Sequence, residues 1–154
     1  MPVLEFASPE VDVALVCADF DAALDFYHRI LDLPIEYDQE IPAALAVGSG
    51  LAPCGFRHVR LRLGGVLIKL MQIDPAPESA QEGFHAGVRW ITVFVRDLEL
   101  TVKILSARGV NFIGPVLRGE AGSFACAAAP DGLIIEFVQL FSSEVDNDAR
   151  RKLS

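Results

Sequence analysis

The sequence predicts an α+β fold made of two copies of one unit, in which a strand and a helix are followed by three further strands. Two internal matches predict the duplication: residues 12–27 resemble residues 90–105, and residues 66–73 resemble residues 133–140. A third observation gives the elements, because the apolar residues change from β-type runs to helical spacing at the same point of each copy. The 154 residues suffice for one hydrophobic core.

The first strand of each copy is an apolar run that ends at an aspartate, Asp19 or Asp97. Aspartate caps helices because its carboxylate accepts hydrogen bonds from the free N–H groups of the first turn. In the first copy Pro34 ends the predicted helix, and in the second copy Gly109 does so. The helical stripe of the first copy consists of Phe20, Ala23, Leu24, Tyr27 and Leu31.

Three strands are predicted after each helix. The last of them follows a turn, Gly64-Gly65 in the first copy and Pro130-Asp131-Gly132 in the second. The first copy is about 11 residues longer than the second, and the extra residues fall in 39–55. We expect this segment to be a mobile loop that serves as a lid. The predicted strands are 34–38, 56–63 and 66–73, then 110–118, 122–129 and 133–140.

The two copies are expected to form a single domain over residues 1–141. The repeats span about 11–73 and 89–140, residues 74–88 link them, and residues 142–154 form a polar tail.

Composition excludes several classes of function. The net charge of −8 repels phosphate backbones, so nucleic acid is not an expected partner. No apolar segment reaches the roughly 18 residues of a membrane span, and the first residues lack the pattern of a secretion signal. Cys17, Cys54 and Cys126 form no CxxC pair, which is typical of reduced packing residues. We therefore expect a cytoplasmic protein without a membrane partner.

Side-chain alternation divides the predicted sheet into an apolar face and a mixed face. A two-residue turn at Gly64-Gly65 pairs Arg60 with Lys69 and His58 with Met71. The apolar face, which the helix should cover, carries Val59, Leu61, Leu63, Val66, Ile68 and Leu70. On the remaining strands the mixed side carries Asp12, Ala14, Val16, Trp90, Thr92, Phe94, Ile134, Glu136 and Val138.

These features resemble the vicinal oxygen chelate superfamily, which includes glyoxalase I, extradiol dioxygenases, epimerases and bleomycin-resistance binding proteins. The resemblance rests on the doubled unit, the two aspartates, the Phe26-Tyr27 pair of the first helix and the Pro130-Asp131-Gly132-x-x-x-Glu136 ending. It covers residues 12 to about 140. The resemblance implies a curved half-barrel cup with the helices on its outer face and the ligand in the cup. One such fold hosts several chemistries, so it implies the fold more strongly than the function.

The resemblance also gives the positions where metal-using relatives place their ligands, and here these positions are Asp12, Lys69, Trp90 and Glu136. An indole has no lone pair for a metal ion, and an ammonium group repels one. We therefore expect no metal cofactor. If a divalent metal is bound, Asp12 and Glu136 are its ligands.

The mixed face predicts a site for a small organic molecule. Arg60 and Lys69 lie on adjacent strands and repel each other unless an anion lies between them. In one interpretation Asp12 and Glu136 are those anions, within an internal salt-bridge cluster. In the other, a carboxylate of the ligand fills this role.

In the ligand-binding interpretation the flat body of the ligand rests on Trp90 and Phe94. Asp12, His58, Thr92 and Glu136 complete the set of predicted ligand contacts. The edges of such sheets often pair between chains, so a homodimer is expected.

An enzyme is the alternative function. Lys69 and Glu136 could act as a metal-free acid and base, or a metal could be held by atypical ligands. The reaction would be that of a glyoxalase-like lyase, an isomerase or epimerase, or a dioxygenase.

Overall fold

The computed structural model describes residues 3–79 and 83–141. The chain forms two compact units, Met1–Ser79 and Ala80–Ser154, and each has one four-stranded mixed sheet. This confirms the predicted α+β fold with tandem units. The predicted tail and residues 80–82 of the predicted linker lie outside the described residues. That the chain is one domain stays a prediction. No helix among the described residues has the length and apolar character needed to cross a bilayer.

The sheet of the first unit has the strand order β1-β4-β3-β2. Strands β1 and β4 are parallel, and the other neighbouring strands are antiparallel. A π-helical stretch, Asp25–Ile30, continues α1 and buries the Phe26-Tyr27 pair. The elements are β1 (Val11–Val16), α1 (Phe20–Leu24), β2 (Ile35–Ile41), α2 (Ala43–Gly48), β3 (Phe56–Leu63) and β4 (Val66–Gln72).

The sheet of the second unit repeats this plan, with the order β5-β8-β7-β6 and a parallel pair β5 and β8. One predicted strand is wrong in extent: of residues 110–118 only Leu117–Arg118 form a strand, and Phe112 adds an isolated bridge to Ala127. The elements are β5 (Trp90–Phe94), α3 (Leu98–Ala107), β6 (Leu117–Arg118), β7 (Gly122–Ala128) and β8 (Ile134–Leu140).

Both predicted helix caps are confirmed. The Asp19 carboxylate accepts a hydrogen bond of 2.9 Å from the N–H of Ala22, and Asp97 accepts one of 2.9 Å from the N–H of Leu100. Each aspartate has an extended backbone conformation. The carboxylate therefore satisfies a donor that the first helical turn leaves free.

The hairpin of β3 and β4 has the predicted register. Gly64 has a φ of +59°, a conformation that glycine adopts without steric cost, and Arg60 lies opposite Lys69. The predicted apolar face is the core of the unit, and α1 packs against β4 on that side. Its four innermost residues, each at most 1% exposed, are Val59, Leu61, Ile68 and Leu70.

Residues 39–55 are not the predicted loop. Their first three residues extend β2 to Ile41, and Ala43–Gly48 form α2. Ala46 of this helix is fully buried in a cluster with Phe56 and Met71. Because these two side chains belong to the mixed face, α2 covers one end of that face and closes it to solvent.

Replacing Asp19 by Ala is expected to lower the free energy of unfolding by about 1 kcal/mol, because the first turn of α1 loses its acceptor. Asp19→Asn is the matched control, since an asparagine amide oxygen caps almost as well. Urea denaturation measures both. An equal loss of stability in the two variants would contradict the capping role.

Candidate functional site

Three charged side chains meet at the centre of the mixed face in the first unit. The ammonium Nζ of Lys69 lies 3.1 Å from Oδ2 of Asp12, and a guanidinium nitrogen of Arg60 lies 4.0 Å from the same oxygen. The hairpin register places the two cations side by side, and the parallel pairing of β1 with β4 brings Asp12 to them. Two positive charges therefore share one carboxylate.

This centre has more hydrogen-bond donors than acceptors. Nε of Arg60 is buried and has no acceptor among residues 3–79 and 83–141, although an unpaired buried donor costs about 1–3 kcal/mol. The guanidinium carbon lies 5.4 Å from the centre of the Tyr37 ring. Sequence reasoning missed Tyr37, because a register shift between Ile35 and Tyr37 breaks the alternation that assigns residues to faces.

The other two arginines of β3, Arg57 and Arg62, are each ion-paired with carboxylates at short distance. Arg62 donates to Glu36 and, at 2.9 Å, to Glu10, and these hydrogen bonds raise its pKa above the ordinary value for arginine. Arg57 makes two hydrogen bonds of 2.8 Å with Asp38. Arg60 is thus the least neutralised arginine of this strand.

His58 lies next to the charged centre and is 6% exposed. Its Nε2 is 3.4 Å from Oε1 of Gln39, and its ring packs edge-on against Phe56. Burial, then the positive charges of Arg60 and Lys69, lower the pKa of His58 below 6.5. His58 is therefore a neutral group near pH 7.

A groove of about 630 Å³ in the first unit does not coincide with the charged centre. It lies where β1 ends and α1 begins, and its polar lining consists of Asp19, Asp21, Glu40, Arg57, Gln72 and Asp74. The only cationic side chain of this lining, Arg57, is already held by Asp38. The lining of this groove therefore contains no unpaired cationic side chain that could bind an anion.

The second unit has its own polar group on the mixed face. The indole N–H of Trp90 donates to Oγ1 of Thr92 at 3.2 Å, and the hydroxyl of Thr92 donates to Oε1 of Glu136 at 2.8 Å. Cys126 lies opposite Glu136 on the next strand. Burial and the charge of Glu136 raise the pKa of this thiol, so that it stays protonated.

The predicted site residues thus form two groups. Asp12, Arg60 and Lys69 contact one another in the first unit, with His58 beside them on the same face. Trp90, Thr92 and Glu136 are hydrogen-bonded in the second unit, and Phe94 follows on the same face of β5. Asp12 is therefore an anion of the kind that the internal salt-bridge interpretation requires. The expectations that place residues of the first and second units in one ligand site, or pair Lys69 with Glu136 as acid and base, stay predictions.

Comparison with known proteins gives the family. Residues 11–137 match the sequence profile of the glyoxalase/bleomycin resistance protein/dioxygenase superfamily. The chain belongs to this superfamily. The resemblance found in the sequence is thereby confirmed. A search of curated proteins finds no significant match.

Several solved structures share the fold. A glyoxalase family protein from Bacillus cereus superposes with a TM-score of 0.70 at 16% identity, over 92% of this chain and 99% of that chain. TnmS3, an antibiotic binding protein from Streptomyces, gives 0.61 at 18% identity, over 91% of this chain and 99% of that chain. A glyoxalase/bleomycin resistance protein/dioxygenase from Nocardioides gives 0.64 at 17% identity, over 92% and 89%.

The resemblance places Asp12, Lys69, Trp90 and Glu136 at the metal-ligand positions, and the structure shows what two of these side chains contact. Lys69 is bonded to Asp12, so an ammonium group already occupies this carboxylate. The only nitrogen of the Trp90 side chain is a hydrogen-bond donor. Nowhere in the described part of the chain do three His, Cys, Asp or Glu side chains gather in a way that could hold a metal ion. The side chains at these four positions are therefore suited to ion pairing and hydrogen bonding, and two of them oppose a metal ion.

Acidification is expected to destabilise the protein through His58. The pKa of His58 is lowered in the folded state, so the unfolded chain takes up the proton first and the free energy of unfolding decreases as the pH falls below about 6.5. Above that pH the contribution of the neutral ring is fully present. Urea denaturation at about pH 7.5 and about pH 5.5 measures this effect, since carboxyl groups scarcely titrate in that interval.

His58→Gln should reduce this pH dependence. Equal losses of stability in wild type and His58→Gln would show that burial of His58 is not the cause.

Proposed function

We propose that the chain is a small-molecule-binding protein of the glyoxalase and bleomycin-resistance type, whose first unit binds an organic anion at Arg60 and Lys69. The observation that carries this proposal is the imbalance at the charged centre. Two cations share a single carboxylate, Asp12, and a buried donor of Arg60 has no acceptor in the described part of the chain.

The charged centre is accessible to a ligand. The side chains of Lys69 and Arg60 are 24% and 31% exposed, so a carboxylate can reach them without prior unfolding of the unit. Hydrogen bonds between ionised partners are about twice as strong as those between neutral groups. Tyr37, which is 51% exposed beside Arg60, offers an aromatic surface to the body of the ligand.

A binding function, rather than a catalytic one, also agrees with the function of a structural neighbour. TnmS3 is an antibiotic binding protein, and the superfamily includes bleomycin resistance proteins. A natural product with an acidic group is the ligand class that we propose for this chain. A cytoplasmic location and a homodimer belong to the same proposal, and neither nucleic acid nor a membrane is among the proposed partners.

The metal-free version of the enzymatic alternative needs Lys69 and Glu136 to exchange protons with one substrate. Lys69 is held as an ammonium donor to Asp12, which suits anion binding better than proton abstraction. A lyase, isomerase or dioxygenase function therefore stays a prediction of the sequence.

Lys69→Met is expected to weaken binding of an aromatic carboxylate about tenfold, because one charge-assisted hydrogen bond is lost. The probe is 2-naphthoate, measured by isothermal titration calorimetry beside its neutral amide, 2-naphthamide. Lys103→Met, which makes the same change of charge at an exposed position of α3, is the control and should bind like the wild type. Unchanged affinity in Lys69→Met, or equal binding of acid and amide by the wild type, would overturn the proposal.

Asp12→Asn separates the proposal from a purely structural salt bridge. Because Asp12 competes with the ligand for Lys69, its neutralisation should tighten 2-naphthoate binding about fivefold. If the cluster is only structural, the variant loses stability in urea denaturation and gains no affinity. Calorimetry and denaturation on the same preparation distinguish the two results.

A further inference from the structure

Glu136 is a half-buried carboxylate without a positive partner in residues 3–79 and 83–141. It makes a single hydrogen bond there, from Thr92 to Oε1. This contrasts with the first unit, where the side chain at the corresponding position of the repeat, Lys69, is ion-paired. The remaining acceptor sites of this carboxylate are therefore available to a cationic ligand.

Trp90 stands two residues before Thr92 on the same face of β5 and is 55% exposed. Its N–H group is already used, since it donates to Thr92. The part of the indole left for a ligand is its π surface, which attracts cations and offers apolar contact. Phe94, 44% exposed, continues this aromatic strip along the strand.

The neutral neighbours of Glu136 keep the site singly charged. Cys126 lies opposite Glu136, and its pKa is raised by burial and by Glu136, so it adds no second negative charge. The hydroxyl group of Thr92 already donates its hydrogen bond to Glu136. A quaternary ammonium group donates no hydrogen bond and suits one carboxylate beside an aromatic ring.

We propose that the mixed face of the second unit, at Glu136, Thr92 and Trp90, binds a quaternary or highly alkylated ammonium group. The site uses none of the residues of the anion site, so each proposal can fail without the other.

Trp90 provides a direct measurement, because it is the only tryptophan of the chain. A ¹H–¹⁵N correlation spectrum of the full chain contains one indole N–H signal for it. The probes are choline and its neutral carbon analogue, 3,3-dimethylbutan-1-ol, at constant ionic strength. Choline should shift this signal saturably, and the neutral analogue should need about ten times the concentration for the same fractional shift.

Glu136→Gln removes the charge and keeps an acceptor for Thr92. It should weaken choline binding about tenfold and leave the affinity for the neutral analogue unchanged. Glu99→Gln, at an exposed position in the first turn of α3, makes the same change of net charge and should bind choline like the wild type.

Two results would overturn the proposal: equal shifts with choline and the neutral analogue in the wild type, or equal choline affinity in Glu136→Gln and wild type. The first comparison needs no variant and therefore decides even if Glu136→Gln does not fold.

Discussion

The register of the β3–β4 hairpin is the constraint on which the polar centre of the first unit depends. A two-residue turn at Gly64-Gly65 leaves one pairing of the strands, and this pairing sets Arg60 against Lys69. Like charges on adjacent strands repel, so the face needs an anion at this place. Asp12 supplies it from the parallel strand β1, but one carboxylate serves two cations. The surplus of positive charge is therefore a consequence of the backbone register.

Features with a strong local cause could be predicted from the sequence. The caps at Asp19 and Asp97 follow from the affinity of a carboxylate for free N–H groups, and the core of the hairpin follows from strict alternation. Tyr37 escaped prediction because a bulge shifts the register before it. Helix α2 escaped prediction because its six residues, from Ala43 to Gly48, show too little periodicity for a helix, and its stability comes from tertiary packing of Ala46.

The two copies of the unit have corresponding backbone positions, but the side chains at these positions differ in charge. Lys69 and Glu136 occupy corresponding places in β4 and β8, and each has a neighbour directly opposite, Arg60 or Cys126. In the first unit ion pairs with Asp12 hold the centre, whereas in the second unit Glu136 accepts a single hydrogen bond from Thr92. The same backbone frame thus supports electrostatic environments of opposite sign. This explains why family membership gives the fold of the chain and leaves its chemistry to individual side chains.

Helix α2 has an evolutionary consequence. It is inserted in the connection between β2 and β3 and forms a small cluster with Phe56 and Met71, apart from the apolar face that α1 covers. Connections between strands accept changes of length more readily than strands do. Mutations in this one segment can therefore reshape one end of the mixed face while the main core keeps its packing.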